Sequence, residues 1–117
     1  MEDFYVEPGI KPLVDTMNAT GRLKTIGSCE GHKTILGVRP PYVYFKGDLS
    51  FAEKFGAELF GYNLTDGKLN YEWSFTGLFH PNLGMCLHLC MSSEWFCRRR
   101  VAEDIQFLSD LVSDLAK

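Results

Sequence analysis

Residues 68 to 76 alternate without a break, with Leu69, Tyr71, Trp73 and Phe75 at one set of positions and Lys68, Asn70, Glu72, Ser74 and Thr76 at the other. A period of two is the mark of a strand with one buried face. Residues 83 to 91 repeat the pattern, setting Leu83, Met85, Leu87, Leu89 and Met91 against Gly84, Cys86, His88 and Cys90. With Gly77 to Asn82 read as the connecting loop, the two runs are expected to pair as an antiparallel hairpin. Two shorter strands are expected at Leu23 to Ile26 and Tyr42 to Phe45, the second from its β-branched and aromatic content.

Elsewhere the period is helical. Ile10, Leu13, Val14 and Met17 share one face of a helix over 9 to 20, with Pro12 tolerated in its first turn. Phe51, Phe55, Leu59 and Phe60 form the apolar stripe of a second helix at about 50 to 61, where Ser50 and Glu53 have capping-box spacing. Val101, Ile105, Leu108, Val112 and Leu115, widened by Phe107 and Leu111, mark a third over 93 to 116, led by Ser92-Ser93-Glu94. The stripe suits a helix lying across a sheet; a seam between two copies of the chain is the alternative.

The sum is α-β-β-α-β-β-α, an α+β or mixed α/β sandwich in which three helices cover a four-stranded sheet. No repeat, linker or low-complexity tract divides the chain, and 117 residues with 45% hydrophobic content suit a single domain, 1–117. Twelve basic against fifteen acidic residues give a net charge of −3, which argues against a globally basic nucleic-acid binder. The N-terminus lacks the basic start and apolar run of a signal peptide, and no stretch is apolar enough for a membrane span, so a cytoplasmic location is expected. In that compartment Cys29, Cys86, Cys90 and Cys97 are expected as reduced thiols.

Candidate chemistry concentrates in Ser28-Cys29-Glu30-Gly31-His32, where glycines allow close backbone approach and Cys, Glu and His are versatile donors. The leading reading is a pocket for a polar small molecule or nucleotide lined by Ser28, Cys29, Glu30, Gly31 and His32, with His88 nearby. A plain connecting turn is the bland alternative. Cys29 as a nucleophile next to His32 is another, although no third group is assigned to orient the imidazole. Zinc is a further one: Cys29 and His32 have ligand-like spacing, and Cys86, His88 and Cys90 face one side of a strand, but the usual Cys-x2-Cys hairpin is absent. Arg98-Arg99-Arg100 offers a phosphate grip through Arg98 and Arg99, against which Glu103 and Asp104 stand within i+4 reach as neutralising partners. Arg39 is a second cation that such a patch would recruit, and RNA would want aromatics such as Tyr71, Trp73 and Trp95 beside it. An adaptor or inhibitor acting on another protein through its surface, as a monomer or homodimer, is the reading from a different class.

Ile10-x-Pro-Leu-Val-x-x-Met-Asn18, Thr25-Ile-Gly-Ser-Cys-Glu-Gly-His32 and Pro41-Tyr-Val-Tyr-Phe45 together resemble the start of the wybutosine-synthesis tRNA methyltransferase family, the third enzyme of that pathway. The likeness covers the first half of the chain, with His32 standing where the family's Ser-Cys-x-Gly-Arg loop has arginine. It implies an α/β fold with a pocket around Ser28 to Gly31, and S-adenosylmethionine and tRNA as ligands. The sequence also resembles short bacterial and mobile-element proteins carrying a Ser-Cys-x-Gly-His loop.

Overall fold

A computed structural model describes residues 5–65 and 67–117. Its elements are α1 (Lys11–Ala19), β1 (Leu23–Cys29), β2 (His32–Thr34), β3 (Gly37–Arg39), β4 (Tyr42–Gly47), α2 (Leu49–Leu64), β5 (Trp73–His80), β6 (Gly84–Met91) and α3 (Arg98–Leu115). The α+β class and the four-stranded sheet are as the periodicity implies. Strand order is β1-β4-β6-β5, every neighbour antiparallel. The ribbon β2-β3, which follows β1 and precedes β4 along the chain, forms a separate two-stranded sheet. No helix among the described residues is long and apolar enough to cross a membrane.

All three helices lie on one face of the sheet. Val43, Phe45, Leu89, Met91 and Trp73 from the strands join Leu13, Met17, Phe51, Phe55, Leu59, Val101, Ile105, Leu108 and Val112 from the helices in one buried cluster. The α3 stripe is therefore spent inside its own chain. Residues at the intervening strand positions, among them Tyr42, Tyr44, Cys86, His88 and Cys90, face the side that no helix covers. Phe60, which the helical spacing places in the α2 stripe, is exposed to solvent instead.

Element ends differ from the sequence reading for local reasons. The α2 cap is Asp48 and not Ser50: its carboxylate accepts from the Ser50 and Phe51 amides. Helix α3 begins at 98 and not 93, because Ser93 and Trp95 form a tight side-chain turn that drives Phe96 into the core before the helix can start. Strand β5 starts at 73 and not 68, since the Asn70 and Tyr71 amides donate to the Asp104 carboxylate at 2.7 and 3.0 Å instead of joining a ladder. It then runs through Gly77 to His80, and the turn is tight enough for His80 Nδ1 to accept from the Asn82 and Leu83 amides.

Asp104 is thus a core anchor and not a surface partner for the arginines. It is 1% exposed and accepts a third bond from Trp73 Nε1 at 3.0 Å. Burial pushes its carboxyl pKa up, while the donors at Asn70, Trp73 and Tyr71 pull it back. Replacing Asp104 by Ala strands two amides and an indole N–H, so the unfolding free energy is expected to fall by about 2 to 4 kcal/mol. Glu103→Ala, which removes only an exposed bond to the Asn70 side chain, is expected to change it by less than about 1 kcal/mol in the same denaturant titration.

Candidate functional site around the 28–32 loop

Strand β1 delivers Cys29 to the uncovered side. Cys29 pairs with Tyr42 across β1 and β4, and directly opposed antiparallel residues share a face. Ser28 pairs with Val43, a core residue, so it lies on the helix-covered side and apart from Cys29. At Gly31 the chain turns through φ +92°, and a Cβ there would stand 2.9 Å from both Phe96 Cζ and Pro41 Cδ. Only glycine fits the turn that carries the chain from Cys29 to His32.

Three tethers fix this turn. Glu30 accepts from the Gly9 amide at 2.6 Å, an approach so close that a Cβ on Gly9 would overlap the carboxylate. Arg98 donates through Nη1 to the Glu30 carbonyl and through Nη2 to the Gly31 carbonyl, each at 2.6 Å. The Gly31 amide donates to Cys29 Sγ at 3.4 Å. Glu30 and Gly31 therefore build the loop more than they line it, and Arg98 spends two donors on loop carbonyls while its guanidinium lies over Phe96. Arg99 and Arg100 share the first turn of α3 with it.

The tethers bring in a residue that sequence reasoning missed. Glu7, on the segment before α1, accepts from the Glu30 amide through Oε1 at 2.8 Å and from His32 Nε2 through Oε2 at 2.7 Å. The Glu30 amide, more than the His32 ring, holds the Glu7 carboxyl below its ordinary pKa and outweighs the opposing effect of burial. Facing a carboxylate, His32 Nε2 must carry its proton. The Cys29 thiol completes the group: one donor atom from each of Glu7, Cys29 and His32 lies within 4.8 Å of the others. No motif signals Glu7; its only mark in the sequence is an acidic residue ahead of Pro8-Gly9, far from the loop along the chain.

Cys86, His88 and Cys90 do not join this group. Cys86 Sγ donates to the Gly84 carbonyl and Cys90 Sγ to the Met91 carbonyl. Among the described residues, only Glu7, Cys29 and His32 gather as a trio of ligand-type side chains. His88 reaches the loop only through Tyr42. Its ring stacks on Tyr44 at 4.3 Å, 16° from parallel, and meets the edge of Tyr42 at 5.4 Å. Tyr42 in turn flanks Cys29, and its hydroxyl pKa is raised by burial first and by Cys29 second, with Arg39 opposing. A cleft of about 430 Å³ opens beside His32 between Thr34, Leu36, Gly37, Val38 and Arg39. A second of about 300 Å³, lined by Ile26, Tyr44, Leu78, His80, Leu83 and Cys86, lies farther along the uncovered face. None of the four cysteines forms a disulfide, and Cys97 at the start of α3 has its thiol pKa lowered by the Arg100 and Arg99 amides.

Comparison of the chain with protein-family models, with curated proteins and with solved structures finds no match.

Burial also lowers the pKa of His88 below its ordinary 6.5. Between 6.5 and the lower folded value the unfolded chain takes up a proton that the folded chain refuses, so stability is complete above 6.5 and falls as pH drops through that window. His88→Gln is expected to flatten this part of the stability-versus-pH curve, measured by denaturant unfolding at a series of pH values.

Proposed function

We propose that the protein binds a polar small molecule of nucleoside type where the Ser28 to His32 loop meets the uncovered sheet face. The reading is carried by one observation: Glu7, Cys29 and the half-exposed His32 converge on a turn held by tethers from Gly9 and Arg98. A turn that merely joined two strands would not need an imidazole fixed by a carboxylate from another segment. Preorganised polar groups beside an apolar surface are what a small-ligand site requires. Next to the trio, Tyr42, Tyr44 and His88 pack into an aromatic cluster on the side no helix covers, a surface suited to a planar base, and Arg39 supplies a positive charge near Tyr42. The resemblance of the first half of the chain to the wybutosine-synthesis methyltransferases makes S-adenosylmethionine the first compound to test.

A ligand that binds only the folded chain raises the melting midpoint, by an amount set by its concentration relative to Kd. S-adenosylmethionine, or failing that a free nucleotide, is expected to raise the midpoint of the wild type. Tyr44→Ala and His32→Ala are expected to lose most of the shift while remaining folded. Absence of a shift with every nucleoside compound would overturn the reading.

A second reading, action through a protein surface, is favoured by the tip of the β2-β3 ribbon, where Ile35 and Leu36 are 102% and 94% exposed. Self-association there predicts a solution mass of twice 13.3 kDa that returns to 13.3 kDa in the Ile35→Ser, Leu36→Ser double variant.

A further inference from the structure

We propose that Glu7, Cys29 and His32 form a zinc centre, with a fourth coordination position left for water or a ligand. The inference rests on the reading of the loop as a ligand site and names the ion held there. Zinc takes thiolate sulfur at about 2.3 Å and imidazole nitrogen or carboxylate oxygen at about 2.0 to 2.2 Å, so donors around one ion stand roughly 3 to 4 Å apart. The trio's donor atoms already lie within 4.8 Å of one another. The Glu7–His32 pair, 2.7 Å apart as a hydrogen bond, opens by about half an ångström to admit the ion.

The donor set selects the metal. One thiolate, one imidazole and one carboxylate are too soft for magnesium or calcium and suit zinc, and three protein ligands plus an open position are the pattern of catalytic rather than structural sites. Two anionic ligands and a neutral imidazole bring a divalent ion to zero net charge, which a half-buried position tolerates. Outer-shell partners are in place: the Glu30 amide fixes the second oxygen of Glu7, and the Gly31 amide points at Cys29 Sγ, where it offsets thiolate charge. Binding expels the Cys29 thiol proton to solvent, and the His32 ring stays neutral by carrying its proton on the nitrogen turned away from the ion.

The same residues are a poorer nucleophilic triad. Cys29 is 4% exposed, and an attacking sulfur must reach its substrate, whereas a ligand sulfur only has to reach the ion. The Nε2 proton of His32 is directed at Glu7, which suits a ring whose proton gives way to a metal.

The test is titration of metal-free full-length protein with cobalt(II), read by the thiolate-to-cobalt charge-transfer band, together with elemental analysis of protein prepared without chelator or metal-affinity resin. One zinc per chain and a saturable band are expected. Cys29→Ser abolishes the band, Cys90→Ser leaves it, and Glu7→Gln weakens zinc affinity about tenfold or more. The melting midpoint reads the wild type alone, should the variants not fold: zinc added to the metal-free protein raises it. A band that survives Cys29→Ser, no stoichiometric metal, or no zinc-induced rise of the wild-type midpoint overturns the centre. A nucleoside-induced melting shift in protein that gives no cobalt band overturns the metal while sparing the pocket; a band with no such shift does the reverse.

Discussion

One-sided coverage of the sheet is the constraint on which the rest of the molecule depends. Three helices are enough to bury one face of four strands, and all of them are used on that face. A strand turns alternate side chains to opposite faces, so every position that is not core is committed to the bare side. That side therefore carries Tyr42, Tyr44, His88 and Cys90 as the necessary complement of Val43, Phe45, Leu89 and Met91. Tyrosine and histidine tolerate such a place because each has an apolar ring and a polar tip. The residues with the richest chemistry in the middle of the chain face outward for the same reason that valine and leucine face inward.

The loop owes its shape to partners distant in sequence. Gly9 and Glu7 approach Glu30 from the N-terminal side, Arg98 from the start of α3, and Phe96 and Pro41 close on Gly31 from behind. Lys33 reinforces the arrangement by donating to the Phe96 carbonyl at 2.8 Å and lying over the rings of Trp95 and Phe96. This also explains why Phe96 must enter the core before α3 begins: the segment before the helix is the wall against which the loop rests. Seated this way, α3 presents Arg98 to the loop carbonyls and Asp104 to the lead into β5.

Much of the architecture was legible because periodicity is a local signal. The three helices, the β5-β6 pairing and the opposite faces of Cys86, His88 and Cys90 versus Leu87, Leu89 and Met91 follow from residue spacing alone. Boundaries failed where a side chain replaced the expected backbone partner: Asp104 for the ladder at Asn70 and Tyr71, Asp48 for Ser50 at the α2 cap. At the site, Cys29 and His32 stood out by type and spacing. Glu7 did not, because convergence across 25 residues leaves no periodic trace, and completing the set from Cys86, His88 and Cys90 failed because their sulfurs bond to nearby carbonyls on the far side of Tyr42. Arg98 was legible as a bidentate donor but not as one whose anionic partner is replaced by two carbonyls.

Tyr42 makes the two halves of the uncovered face one surface. It is paired with Cys29 on one side and Cys90 on the other, and its ring touches those of Tyr44 and His88. A molecule with a polar end at Glu7, Cys29 and His32 and a planar end over Tyr44 must cross it. The unpartnered, buried Nε2 of His88 sharpens the point. Burying a polar atom without a hydrogen bond costs stability, and here burial favours the neutral ring, stacked on Tyr44 and edge-to-face with Tyr42, where it contributes an aromatic surface and not a charge. The polar work falls to the loop and the stacking to the strands. Because β1 and β4 join them through the Cys29–Tyr42 pair, their separation is set by the sheet and not by a flexible connection.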